Sequence, residues 1–460
     1  MFRGARFAWG LAVATIGVYA LILAGATTTI TDAATSCATW PACNGEWFAL
    51  STPALLVVWV HRVIAAVVGV LVAGIAGVAW LRAVGTRVRV AVTVATLAYP
   101  VQVAIGAYAA TAGTSTLVTA LHLAVGLLIF GALIVALTWT LEPADRSTPT
   151  GGTVDGPTDP ITQDERPTAS ESPGFVATVA AYVRLMKPRL MWLLSLVAAA
   201  GMALAAGPAL RVDTVVLTLA GGVLAIGASG TFNHVFERER DRAMARTADR
   251  PVVQAVVPAR NAVAFGGLLT IAALVVFLQI NVVAALLGVT AIGYYAVVYT
   301  LVLKPNTVQN TVVGGFAGAL PALIGVAAVT GTVGITGIAL ASVVFLWTPA
   351  HFYNLALAYR EDYERGGFPM LPVVRGKAVT RKHILLYLGA TLAAAAFLGW
   401  VTALGLVFAV AATGVGALFL WAVVRLHRER SEAAAFRAFH ASNAYLGTVL
   451  IAVVVDSLVV

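Results

Sequence analysis

Long apolar runs alternate with short polar segments along the whole chain. Runs at residues 7–25, 55–80, 88–109 and 117–138 are each long enough to cross a bilayer as a helix. After a polar break come nine more, at 190–206, 214–232, 262–280, 282–303, 311–330, 335–358, 384–403, 404–424 and 441–459. The pattern predicts an all-α polytopic membrane protein, with a four-helix transmembrane bundle followed by a nine-helix bundle. Residues 142–174 separate the two, and are rich in Pro, Gly, Ser, Thr and acid with almost no apolar residues. Such a segment cannot bury enough surface to fold and reads as a disordered linker between domains at 1–141 and 175–460. Ala24, Gly25 and Ala26 could pass for a signal-peptidase site. The run before them is longer than a usual signal core, so a retained first helix is expected.

With 60% hydrophobic and 11% charged residues and a mean hydropathy of +0.92, a soluble enzyme is excluded. The net charge of +9 does not call for nucleic acid, because the Arg and Lys residues sit in short loops. Arg3 and Arg6, then Arg82, Arg87 and Arg89, lie two spans apart and so on one side of the membrane. In the second domain every strongly basic loop lands on one side: 184–189, 233–260, Lys304, 360–382 and 425–437. The positive-inside rule then places the amino terminus and these loops in the cytoplasm, in a cell membrane. The loop with Cys37 and Cys43, flanked by the interfacial aromatics Trp40, Trp47 and Phe48, faces outward. Those cysteines are either a disulfide, if the outer compartment is oxidising, or two free thiols; alone they are too few for a metal site.

Chemistry concentrates at 233–251, NHVFERERDRAMARTADRP. On a helix, Asn233, Glu237 and Asp241 share one face, and Arg238, Arg242, Arg246 and Arg250 the neighbouring one. Hard oxygens suit Mg²⁺ and forked guanidiniums suit phosphate, so the pair of stripes fits a metal-bound diphosphate. The bland alternative is a solvated loop whose charges pair with one another. A second polar segment, WTPAHFYNLALAYREDYERGGFPMLPVV at 347–374, puts His351, Asn354, Ala358 and Asp362 on one face. Lys187, Arg189 and Lys304 add cations on the same side. Together these describe a Mg²⁺-diphosphate site opening into an apolar bundle, with an isoprenoid chain among the helices. In the first domain, His61 and His122 lie within membrane spans, where a histidine is a functional candidate. Two of them on one four-helix unit can hold a heme iron from both faces. Packing against Gln102 or a backbone carbonyl is the alternative.

The second domain resembles the UbiA-type intramembrane prenyltransferases, and within them the heme-prenylating branch. The matching stretches are KPR at 187–189, the 233–251 segment, YTLVLKPNTVQNTVVGGFAGALPALIG at 299–325, and PAHFYNLAL…DYERGGFPMLPVV. The resemblance implies farnesyl transfer from farnesyl diphosphate to a vinyl group of heme B, with addition of water and release of diphosphate. It implies Mg²⁺ held by Asn233, Glu237 and Asp241, with Glu361 and Asp362 in a degenerate second acidic site. Arg246 and Arg250, helped by Lys187, Arg189 and Lys304, would meet the diphosphate; Asn233, Asp241 and His351 would be catalytic. Glu237 and Glu239 stand where Asp is common in the family, and Ala350 where a second proline is frequent.

The first domain resembles one half of heme A synthase, through SCATWPACNGEW at 36–47, His61-Arg62, Gln102 and LHLAVGLLI at 121–129. That resemblance implies a Cys37–Cys43 disulfide and a heme between His61 and His122. The family has a glutamate where this chain has Val58, which implies heme binding or hand-over rather than oxidation of heme O. Pairing with a second copy, or with a heme A synthase, would rebuild the eight-helix form. Two other functions fit the same pattern: prenylation of a quinone precursor or lipid headgroup, and heme transport or carriage. A Mg²⁺ requirement with diphosphate release separates an enzyme from a carrier.

Overall fold

The computed structural model describes residues 2–30, 37, 39–48, 51–82, 84–143, 174–402 and 404–459, so most of the 142–174 linker lies outside the described residues. Thirteen helices among them are long and apolar enough to cross a membrane, four before the linker and nine after it. The first bundle is α1 (Phe2–Ile30), α2 (Pro53–Leu81), α3 (Thr86–Ala112) and α4 (Thr116–Leu141). Thr52 and Ser115 start α2 and α4 by accepting the N–H of Leu55 and of Val118, each at 3.3 Å. These caps satisfy backbone donors that the first turn leaves free. Cys37 and Cys43 are joined in a disulfide. Arg62 of α2 holds their loop by donating to the carbonyls of Pro41 at 3.0 Å and Thr39 at 3.3 Å.

The second bundle opens with the short α5 (Phe175–Leu185) and α6 (Pro188–Ala206). Lys187 joins them in the left-handed conformation, with φ 57°. Gly230 allows this joint: a Cβ there would stand 2.9 Å from the Leu185 carbonyl oxygen and 3.2 Å from Lys187 Cγ. Next come α7 (Val212–Phe236), the short α8 (Arg238–Arg242) and α9 (Ala259–Leu278). The helix α10 (Val282–Gly293) runs on as a π-helix over Tyr294–Leu303 and ends in the single turn α11 (Lys304–Asn306). Then follow α12 (Asn310–Thr330), α13 (Ile335–Ala358), the short α14 (Arg360–Arg365) and α15 (Leu371–Val374), α16 (Gly376–Thr402), α17 (Leu406–Glu429) and α18 (Glu432–Val459). The central α13 packs against α12, α16 and α18.

Several helices outrun their apolar stretches. α16 begins at Gly376 rather than 384, and α18 at Glu432 rather than 441. Hydropathy marks the part of a helix in lipid, whereas the helix continues past it through residues such as Lys377, Arg381 and Arg437. Helices α1 and α4 pack on α16, and α1 also on α17, in one buried cluster that contains Leu11, Tyr19, Leu133, Leu392 and Tyr445. Glu142, the first residue of the expected linker, caps α4 and is 5% exposed. It accepts from Arg381 of α16, itself 6% exposed, and lies 3.7 Å from Arg430. Lipid offers no hydrophobic drive between helices, so close packing and such polar pairs fix where the bundles meet.

Candidate active site

The Asn233, Glu237 and Asp241 stripe forms as the spacing predicts. Asn233 is in the last turn of α7, and backbone bonds run from Glu237 N–H to the Asn233 carbonyl (3.0 Å) and from Asp241 N–H to the Glu237 carbonyl (2.8 Å). All three side chains are buried. The arginine stripe does not form as expected, because the helix stops at Arg242. Thr247 Oγ1 donates to the Asp241 carbonyl at 3.0 Å and turns the chain back on itself. Arg242 then pairs with Glu239 at the surface at 2.8 Å, whereas Arg250 returns to pair with Asp241 and lies 3.7 Å from Glu237.

Two lysines complete the cluster. Lys304 donates to Glu237 Oε1 at 2.5 Å. Lys187 donates to Asn233 Oδ1 and, at 3.2 Å, to the Tyr295 hydroxyl. Asn233 Nδ2 donates to Thr300 Oγ1 at 3.1 Å. Tyr295 and Thr300 reach the cluster together because they sit on the π-helix, where Thr300 Oγ1 bonds the Tyr295 carbonyl at 2.8 Å. Neither residue was singled out from the sequence; their only signal there is polar side chains inside an apolar run.

The charges are matched against burial. Burial pushes the Lys187 ammonium down, and Arg250 adds to this, bringing its pKa to about 7. Burial also pushes the Glu237 carboxyl up, but Lys304 and Lys187 outweigh it and hold the group below the usual carboxylate range. For Asp241 burial outweighs Arg250, and its pKa lies above the usual value. Glu237 Oε2 and Asp241 Oδ1 are buried without a hydrogen-bond partner. Such oxygens are costly unless something binds them. With Asn233 Oδ1 they form a set of hard oxygens that fits Mg²⁺. Among the described residues no three His, Cys, Asp or Glu side chains converge, so a metal here would draw further oxygens from a ligand.

The cluster stands at the end of an apolar cavity of about 250 Å³. Lys187 and Tyr295 belong to both, and the walls include Leu194, Thr218, Ala225 and Ile324. Thr348 and Phe352 of α13 line it too. Between them in sequence, His351 turns to the α18 seam. Its Nδ1 is 2.7 Å from Ser442 Oγ, and its ring stacks between Trp347 and Phe439 at 4.2 and 4.4 Å. Arg189 and Glu361 are exposed. Asp362 is buried, with its oxygens taken by the backbone N–H groups of Ala245 (2.8 Å) and Arg246 (3.3 Å) and by Arg365 (2.8 Å). Arg246 lies over the rings of Tyr359 and Tyr363, 5.2 and 5.5 Å from their centroids.

The first bundle holds a second cavity, of about 590 Å³, lined by His61, Arg62, Tyr99, Gln102 and His122 and by Trp400 of α16. Nδ1 of each histidine and Oε1 of Gln102 are buried without a hydrogen-bond partner. Neither Nδ1 bonds to Gln102 or to a backbone carbonyl, and all three residues line the same cavity.

The fold and cluster define an intramembrane prenyltransferase, and comparison with known proteins agrees. The profile of the UbiA prenyltransferase family matches residues 193–446, and this chain belongs to that family. A profile described as cytochrome oxidase assembly protein matches residues 8–158. The protoheme IX farnesyltransferase of Haloarcula marismortui is 58% identical over the full length of both chains. That of Halobacterium salinarum is 57% identical over 99% of this chain and 98% of its own. In Roseiflexus castenholzii a protein of the same name is 34% identical over 97% of this chain and 83% of its own. Among solved structures, a digeranylgeranylglyceryl phosphate synthase shares the fold, with TM-score 0.53 at 17% identity, over 62% of this chain and 99% of its own.

Proposed function

We infer that this prenyltransferase moves the farnesyl group of farnesyl diphosphate to a vinyl group of heme B, adds water and releases diphosphate. The observation that carries the reading is the buried line of Asn233, Glu237 and Asp241 at the end of an apolar cavity. Near full-length relatives with the protoheme IX farnesyltransferase name support the choice of substrates.

The residues divide the work by charge. Asn233, Glu237 and Asp241 would hold Mg²⁺, which when bound neutralises the diphosphate and stabilises charge on the leaving group. Arg246, Arg250, Lys187 and Lys304 receive the diphosphate oxygens as the C1–O bond breaks and its electron pair departs with the diphosphate. The apolar cavity holds the isoprenoid and keeps water from the allylic cation. The vinyl π electrons form the new carbon–carbon bond, and a water oxygen bonds the neighbouring carbon and loses a proton. That proton passes to a second water; His351, held by Ser442 and the flanking aromatics, lies on the α18 seam off the cavity wall. An acceptor screen tests the reading. Diphosphate release that needs heme B and Mg²⁺ is expected; equal release with a quinone precursor or a lipid headgroup would overturn it.

The first bundle, at 1–141, is proposed as a heme-binding unit joined to the transferase unit at 175–460. Its support is a cavity of about 590 Å³ with His61 and His122 in its wall, their buried Nδ1 atoms without a hydrogen-bond partner. It would hold heme by both histidines and pass it on, alone, with a second copy or with a heme A synthase. The Arg and Lys distribution supports a cell-membrane location with the amino terminus and the transferase loops cytoplasmic.

A further inference from the structure

We propose that Asp362 is a positioning residue, which clamps the loop carrying Arg246 and Arg250 and takes no part in metal binding. A carboxylate that serves a metal presents free oxygens to it. The oxygens of Asp362 are instead spent on protein donors: Oδ1 accepts from Ala245 N–H and Arg365, both at 2.8 Å, and Oδ2 from Arg246 N–H at 3.3 Å. The contrast with Glu237 Oε2 and Asp241 Oδ1, buried without a hydrogen-bond partner, lies within the same site.

The two N–H groups it takes are the ones the loop cannot satisfy. Beyond Arg242 the chain makes one helical turn, in which the Met244 carbonyl accepts from Thr247 N–H (3.1 Å) and Ala248 N–H (3.0 Å). Ala245 and Arg246 are the first residues of that turn, whose N–H groups have no partner within it. Asp362 supplies the cap from a distant part of the chain, as an Asp at a helix start does locally. Further contacts make the same join. Tyr359 and Tyr363 flank the Arg246 guanidinium, and Gly366 lets Met244 lie against the end of α14. A Cβ on Gly366 would stand 2.9 Å from both Met244 Cγ and Sδ. Held in this way, the loop delivers Arg250 to Asp241 and Glu237.

Two measurements on the purified full chain test this. The first is amide hydrogen exchange of residues 243–250 without metal, in Asp362→Ala and separately in Gly366→Leu, which strains the same join without touching a carboxylate. Faster exchange is expected in both, since the turn loses its hold. The second is kinetic and rests on the farnesyl diphosphate reading above. In Asp362→Ala, KM for farnesyl diphosphate should rise about tenfold, as expected when a positioned arginine is loosened, with the Mg²⁺ half-saturation unchanged. Unchanged exchange in Gly366→Leu, or a Mg²⁺ half-saturation shifted tenfold or more in Asp362→Ala, overturns the clamp. If Asp362→Ala does not fold, the exchange and KM of Gly366→Leu decide alone. Exchange needs no substrate, so it stands even if the acceptor is not heme.

Discussion

Lys304 reaches Glu237 Oε1 at 2.5 Å and leaves Glu237 Oε2 buried without a hydrogen-bond partner. Glu237 and Asp241 thus each bond one oxygen to a cation of the protein and leave the other without a hydrogen bond. A metal taken up there binds hard oxygens that are already desolvated and oriented. Removing one should therefore damage chemistry more than folding. Asn233→Ala and Asp241→Ala are each expected to lower kcat/KM for farnesyl diphosphate by about a hundredfold or more, the scale of losing charge stabilisation of a leaving group. Circular dichroism should stay that of the parent. Wild-type turnover of Asn233→Ala at saturating Mg²⁺ would contradict the assignment.

The membrane plan was readable because lipid imposes it: a span must be long and apolar, and all thirteen runs became helices. The Asn233, Glu237 and Asp241 stripe was readable for a similar reason, being one helical face. What the sequence hid depended on the chain leaving a regular helix. Nothing in 233–251 says that Thr247 would turn the chain back, so Arg246 and Arg250 were placed on the wrong kind of face. The π-helix that brings Tyr295 and Thr300 to Asn233 has no one-dimensional signature. Pairs distant in sequence, such as Glu142 with Arg381 and Asp362 with Ala245, were equally invisible.

The seam between the bundles should matter for stability and not for chemistry. A chain beginning near Ser172 keeps every residue assigned to the transferase site and should still release diphosphate with heme B. In the full chain, Glu142→Ala leaves Arg381 buried without its partner, a change that costs about 3 kcal/mol or more. A lower unfolding temperature is expected, measurable by thermal denaturation in detergent, with kcat near that of the parent. Loss of kcat in a well-folded Glu142→Ala protein would mean that the two bundles share the active site.

The cavity offers a place to set isoprenoid length. Gly222 lines it, and a Cβ at that position would meet nothing within 4 Å. Gly222→Phe should fill that space with an aromatic ring. Farnesyl diphosphate use is expected to fall about tenfold or more while geranyl diphosphate is retained, since lost pocket volume discriminates against extra carbons. An unchanged preference, read as the ratio of kcat/KM values for the two diphosphates, would place the chain elsewhere.

His61 and His122 can be tested by spectrum alone. Loaded with heme, the full chain should show the low-spin signature of two axial imidazoles, and His61→Ala or His122→Ala should each lose it. With Val58 where the related family has a glutamate, no heme A should form in any of these proteins. An unaltered low-spin spectrum in both variants removes the site, and heme A made by this chain alone removes the reading of Val58.

The central claim is the acceptor, and mass analysis of the hemes extracted from cells expressing the full chain tests it most directly. A new heme heavier than heme B by one farnesyl group and one hydroxyl is expected, absent when Asn233→Ala replaces the parent. Heme B alone, with a prenylated quinone precursor or lipid appearing in its place, would contradict it.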